Sequence, residues 1–172
     1  MEKFYNAPTG SLCFKDDGIA NEETIVLIHG FPLTKESWDY VSTVLSSSYR
    51  VLRYDLTGMG KSTSSNYFVT IDSHVNDLIA LMDYCLIDKC TLVGFSMGGY
   101  VALRAVNLFP NRFNSLVLAN TKADADTNDA KEKRFSQVAS LRNGEIEGPG
   151  RRSNTGPPEN SRKHRAYPFP AS

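Results

Sequence analysis

The sequence predicts an α/β fold, a mostly parallel sheet with helices on both faces. Three observations carry this. Short apolar runs alternate with helix-period segments over the first 143 residues. Runs such as Ile25-Val26-Leu27-Ile28 are apolar throughout, as strands buried on both faces must be. Finally, Gly94-Phe95-Ser96-Met97-Gly98 lies between the run Thr91-Leu92-Val93 and an apolar helical stretch, so a strand there turns sharply into a helix.

The elements follow in order. Phe4-Tyr5 and Leu12-Cys13-Phe14, with turn residues between them, predict an opening hairpin. Ile25 to Ile28 is a buried strand ending at His29-Gly30. Trp38, Val41 and Leu45 recur at helical spacing after Thr34, which reads as an N-cap. Tyr49 to Tyr54 is the next strand, closed by Asp55-Leu56-Thr57-Gly58. Ile71, Val75, Leu78, Ile79 and Met82 share one face of an amphipathic helix. Its His74 is expected at the surface. Thr91 to Phe95 and Leu116 to Ala119 are further strands, with a helix from Tyr100 to Phe109 stopped by Pro110. Gly99 is expected where that helix must start close to the sheet.

Composition divides the chain into a partial domain over residues 1–143 and a tail over 144–172. Phe135, Val138 and Leu141 predict one more helix, and 120–143 reads as the start of a cap region. The tail holds five of the chain's eight prolines and is expected to be disordered. With 19 basic and 19 acidic residues there is no field to steer nucleic acid or an anionic membrane. No apolar run reaches membrane-spanning length, and the N-terminus lacks the apolar core of a secretory signal, so a cytoplasmic location is expected. Cys13, Cys85 and Cys90 lack metal-ligand or redox spacing and read as reduced, mostly buried thiols.

A serine between two glycines at a strand-to-helix turn is the form of a nucleophile elbow, which lifts the hydroxyl to where a substrate carbonyl can reach it. With two further motifs in order, His29-Gly30-Phe31-Pro32 and Asp55-Leu56-Thr57-Gly58-Met59-Gly60-Lys61-Ser62, the chain resembles the α/β-hydrolase superfamily. Gly94 to Tyr100 and Ala119-Asn120-Thr121 through Asp126-Thr127 are most similar to small members such as 3-oxoadipate enol-lactonases and related cofactor-free esterases and perhydrolases. The resemblance implies a serine hydrolase acting on carboxylic esters or lactones through an acyl-enzyme at Ser96. It implies backbone oxyanion donors at Phe31 and Met97, no cofactor and no metal. The partner is then a small acyl substrate. Serine at this position argues against haloalkane dehalogenases and epoxide hydrolases, which place aspartate there.

Such chemistry needs a histidine to take the serine's proton and a carboxylate to orient that histidine. In this fold both follow the serine on later strands, and no apolar strand is evident after Ala119. The C-terminal strands of the fold are therefore expected to be missing, and the triad acid and base are not assigned. His164, in a basic stretch, reads as a solvated histidine. Asp124, Asp126 and Asp129 read as loop and capping residues, and His29 as a local structural histidine. The alternative is a truncated or frameshifted hydrolase fragment with impaired catalysis, or a non-catalytic binding protein. An open sheet edge after Ala119 would then favour self-association. Two decoys fail: Gly60-Lys61-Ser62 lacks the first glycine of a phosphate loop, where Asp55 stands, and Ser96 replaces the middle glycine of a dinucleotide fingerprint.

Overall fold

The strands form where the apolar runs predict them. The computed structural model describes residues 1–65, 68–124, 127–129, 131–133 and 135–136. In the compact unit Met1–Ala125, β1 (Lys3–Ala7) and β2 (Gly10–Asp17) make the antiparallel hairpin, with Tyr5 opposite Leu12. Four parallel strands follow: β3 (Thr24–Ile28), β4 (Arg50–Tyr54), β5 (Cys90–Phe95) and β6 (Phe113–Ala119). The order across the sheet is β1-β2-β4-β3-β5-β6. From β3 the chain goes to one side to make β4, then returns across β3 to make β5. The strand order therefore reverses at β3, and the crevice beyond the carboxyl ends of β3 and β5 is where open α/β sheets bind ligands.

Three helices connect the strands: α1 (Asp39–Leu45), α2 (Ile71–Tyr84) and α3 (Met97–Leu108). Alternation of side chains along the strands sends Val26, Ile28, Leu52, Tyr54 and Leu92 into one core with Val75, Leu78, Leu81 and Met82 of α2 and Val101, Ala102 and Ala105 of α3. Leu27, Val51 and Arg53 are buried on the opposite face, where Arg53 reaches Asp17 and Asp39. Asp39 opens α1, so both faces of the sheet are covered.

Several local expectations change. Thr34 does not cap an α-helix: a 3-10 turn, Lys35–Trp38, comes first, and the Thr34 hydroxyl makes no cap hydrogen bond. The effective cap is at α2, where Thr70 Oγ1 accepts from Ser73 N at 3.1 Å and Ser73 Oγ accepts from Thr70 N at 3.2 Å. Ile71 and Ile79 are only half-buried, and Leu81 takes a core position instead. His74 is buried rather than at the surface, because it lies beside Val75 on the half of α2 that meets the rest of the fold. The cysteines are free thiols, and burial pushes Cys90 up to about 12.

Two polar clusters are locked inside. Asp77 on α2 accepts from Thr9 N at 3.2 Å, from the Thr9 hydroxyl, and from Thr57 Oγ1 at 2.5 Å. It thereby ties the β1–β2 turn to the segment after β4. Lys35, fully buried, places Nζ 2.8 Å from Asp55 Oδ2, 2.9 Å from Glu36 Oε1 and 3.1 Å from Glu2 Oε1. Asp55 also accepts the backbone amides of Lys35 at 2.7 Å and Lys61 at 2.9 Å. Burial alone would lower the Lys35 pKa, but the hydrogen bonds to the three carboxylates outweigh it and raise it.

β6 forms one edge of the sheet, and its Val117 and Leu118 are 47% and 43% exposed. No helix among the described residues is long and apolar enough to cross a membrane. In the second unit, Asp126–Ser172, residues 128–129, 131–133 and 135–136 are helical, and Lys131 N donates to Thr127 O at 3.0 Å. Phe135 is exposed. Val138, Leu141, Asp126, His164 and the expected tail lie outside the described residues.

Replacing Lys35 with Met leaves Asp55 buried without its cation, and we expect a loss of about 3–5 kcal/mol in urea melts. Lys61→Met, whose ammonium is largely exposed, should leave the midpoint nearly unchanged.

Burial lowers the pKa of both His29 and His74. Below about pH 6.5 the unfolded chain takes up protons that the folded chain refuses, so stability is lost as pH falls through that range and on toward the folded values. His74 Nδ1 is buried without a hydrogen-bond partner. We therefore expect His74→Leu to flatten this acid limb in urea midpoints measured between pH 7.5 and 5.

Candidate functional site

The site is built where β3 and β5 end side by side. Ile28 pairs with Gly94, so the chain leaving β3 through His29-Gly30 runs against the chain leaving β5 through Phe95-Ser96. The contact leaves no room for side chains. A Cβ on Gly30 would stand 2.9 Å from Ser96 Cβ, and one on Gly98 would stand 2.6 Å from the His29 carbonyl oxygen. A Cβ on Gly94 would meet the Gly98 carbonyl oxygen at 2.5 Å. Gly99 lies close to the sheet, as expected: a Cβ on Gly94 of β5 would stand 2.7 Å from the Gly99 Cα, and a Cβ on Gly99 itself would lie 2.6 Å from that of Thr121.

Ser96 carries the cost of the sharp turn, with φ 50° and ψ −115°. A non-glycine residue holds such a backbone only when its surroundings enforce it. Here they do. Ser96 N donates to Ala119 O at 3.1 Å, and Ser96 O accepts from Gly99 N at 2.9 Å and from Thr121 Oγ1 at 2.8 Å. The end of β6 and the residues after it thus grip the serine on both sides.

Of the two sequence-predicted donors, Met97 directly follows Ser96 in the chain, and Phe31 follows Gly30, whose backbone packs against Ser96. Met97 is the first residue of α3, a position whose amide has no partner within the helix. Phe31 follows Gly30, and its side chain is exposed. Its peptide unit is held from the carbonyl end: Gly30 O accepts from Leu33 N at 2.8 Å and from His29 Nδ1 at 2.9 Å. His29 Nε2 accepts from Leu56 N at 3.0 Å. Both ring nitrogens are therefore used in the local structure, as expected for a histidine that serves the fold.

Two recesses lie at the elbow, one lined by Phe95 and the other by Ser96. One, of about 240 Å³, is apolar and lined by Leu33, Ser37, Trp38 and Phe95, with Trp38 and Phe95 packed edge to face at 6.5 Å. The other, of about 300 Å³, is lined by Ser96, Tyr100, Asn120, Thr121 and Lys122. No group of three or more His, Cys, Asp or Glu side chains among the described residues is placed to hold a metal. Among those residues, His29 and His74 are the only histidines. Asp124 and Asp129 are exposed. Sequence reasoning missed Thr121 and Lys35. Thr121 belongs to a stretch that carries the resemblance, but nothing in the sequence marks its hydroxyl as a partner of Ser96 O. Lys35 gives no sign in sequence that its ammonium points inward.

This chain belongs to the α/β-hydrolase family: residues 23–155 match the family described by the alpha/beta hydrolase fold. It is 30% identical over 121 residues to 3-oxoadipate enol-lactonase 2 of Acinetobacter baylyi, a match covering 70% of this chain and 45% of that protein. It is also 30% identical over 102 residues to strigolactone esterase D14 of Arabidopsis thaliana, covering 56% of this chain and 38% of that one. Among solved structures it is similar to a thermophilic esterase from Thermogutta terrifontis, with 32% identity and a TM-score of 0.77, over 87% of this chain and 55% of the other. The chain spans between a third and about half of the length of the first curated relatives it matches.

The strain at Ser96 yields a direct comparison. Ser96→Gly and Ser96→Ala both remove the hydroxyl, but only glycine relaxes the positive φ. We expect the glycine variant to be the more stable by about 1 kcal/mol, measured by thermal unfolding. Gly98→Ala, which drives a methyl into the β3 backbone, should cost about 1–3 kcal/mol.

Proposed function

We propose that the chain carries the nucleophile and oxyanion half of a serine hydrolase acting on carboxylic esters or lactones. The observation that carries this is the backbone of Ser96, held at positive φ between the ends of β3, β5 and β6. In this reading Ser96 Oγ attacks the substrate carbonyl carbon and its proton passes to a base. The negative oxygen of the tetrahedral intermediate sits between the N–H groups of Phe31 and Met97, each worth roughly 3 kcal/mol in comparable sites. Collapse expels the alcohol with a proton, and water then cleaves the acyl-enzyme. The apolar recess of Leu33, Trp38 and Phe95 suits a hydrocarbon portion of the substrate.

A second reading rests on a specific observation. Neither histidine among the described residues is placed as a base for Ser96: His29 spends both nitrogens on backbone groups, and His74 is buried on α2. In that reading the chain binds an acyl compound without efficient turnover. A seat and oxyanion donors without the histidine still give roughly 10³–10⁴-fold over water in comparable enzymes, so the two readings separate by rate.

The test is covalent labelling with a fluorophosphonate, read by intact mass and peptide mapping. Labelling at Ser96 that is lost in Ser96→Ala supports the nucleophile assignment. Labelling slower than for an intact serine hydrolase by several orders of magnitude supports the second reading. Label distributed over other serines overturns the first. We expect His164→Ala to leave the labelling rate unchanged.

A further inference from the structure

His29 is the buried, nucleophile-adjacent group that the proposed chemistry does not use, and its hydrogen bonds say what it does. Gly30 O can only accept, so Nδ1, 2.9 Å away, must carry the ring proton. Leu56 N–H can only donate, so Nε2, 3.0 Å away, must be the acceptor. The two contacts together admit one state of the ring, neutral with the proton on Nδ1. They also connect two separate pieces of chain, the turn leaving β3 and the turn leaving β4.

The atom that His29 holds is the decisive point. Gly30 C=O and Phe31 N–H belong to one planar peptide unit and point in opposite directions. Fixing the carbonyl oxygen therefore fixes the direction of the Phe31 amide. That amide makes no hydrogen bond of its own among the described residues. Leu33 N provides the other bond to the same oxygen, from within the turn. His29 provides the bond that refers the peptide to the rest of the fold, since its far nitrogen is anchored on Leu56.

We propose that His29 is a positioning residue for the oxyanion site: through Gly30 O it aims the Phe31 N–H across the Ser96 hydroxyl. This rests on the reading of Ser96 as nucleophile and of Phe31 as donor. His29 touches neither substrate nor reacting atoms, and its work is orientation. Burial lowers its pKa and favours the neutral ring, outweighing the bond to Gly30 O and the charges of Asp55 and Glu36, which favour the proton, while Lys35 opposes it.

Two substitutions divide the role. Asparagine can place its amide nitrogen near Nδ1 and keep the bond to Gly30 O while losing Leu56. Glutamine can place its amide oxygen near Nε2 and keep the bond from Leu56 N while losing Gly30. A purely structural histidine predicts similar harm from both. The positioning role predicts that His29→Gln slows Ser96 labelling by about tenfold or more, with half-saturating probe concentration little changed, while His29→Asn stays near the wild-type rate.

Two spectroscopic readouts hold whether or not Ser96 reacts, so failure of the hydrolase reading stays distinguishable. In amide spectra the Phe31 resonance should move in His29→Gln and stay near wild type in His29→Asn. In the unmodified chain, ring nitrogen shifts should report the Nδ1–H form of His29. An unmoved Phe31 amide in the glutamine variant, or the Nε2–H form in the wild type, overturns the proposal. A wild-type chain that fails to label at Ser96 while both spectral results hold would remove the hydrolase reading and leave His29 as the support of a non-catalytic turn.

Discussion

Backbone meets backbone at the ends of β3 and β5, and most of the site follows from that contact. Close approach there requires hydrogen in place of side chains at residues 30, 94 and 98. Once those positions are bare, the helix that begins at Met97 starts directly against β3. Ser96 is then lifted at the corner, with the turn leaving β3 packed against it at Gly30. A side chain at residue 98 would push the helix away from β3. Sterics therefore set the geometry of the elbow: the position of Ser96 follows from how tightly two turns can stack.

The turn leaving β3 is held at both ends by buried polar groups. At one end His29 bridges to Leu56, and at the other Lys35 reaches Asp55, one residue before Leu56. The segment between, which includes Phe31, is thus suspended over the end of β4. A buried ammonium among Asp55, Glu36 and Glu2 is a costly device, since apolar groups of similar size often serve stability as well or better. What such a cluster adds here is definition. Asp55 takes Lys35 through both its backbone and its side chain, which sets the start of the 3-10 turn relative to the sheet.

The frame of the fold was legible because strand burial writes itself into composition. Ile25 to Ile28 and Leu116 to Ala119 are apolar runs too short for helices, and the glycines around Ser96 mark a turn that few other residues permit. Local capping was less legible. Thr34 has the right chemistry for an N-cap, but a 3-10 turn carrying the buried Lys35 comes between it and α1. The position of His74 was misread because period-3.6 reasoning placed only the aliphatic residues inward. α2 buries a wider arc, which includes His74 and Asp77. The role of Thr121 was hidden for a different reason: its hydroxyl acts on a carbonyl 25 positions away, and no local pattern encodes that contact. In the candidate site, then, the residues defined by backbone shape could be read from sequence. Those defined by long-range side-chain hydrogen bonds could not.

Trp38 is the only tryptophan in the chain, and it forms a wall of the apolar recess, edge-on to Phe95. The protein's indole emission therefore originates at one place, against the ring of the residue that precedes Ser96. Its colour and quenching follow the polarity of that recess without any added dye. The molecule carries its own optical gauge of whether that recess is wet or filled.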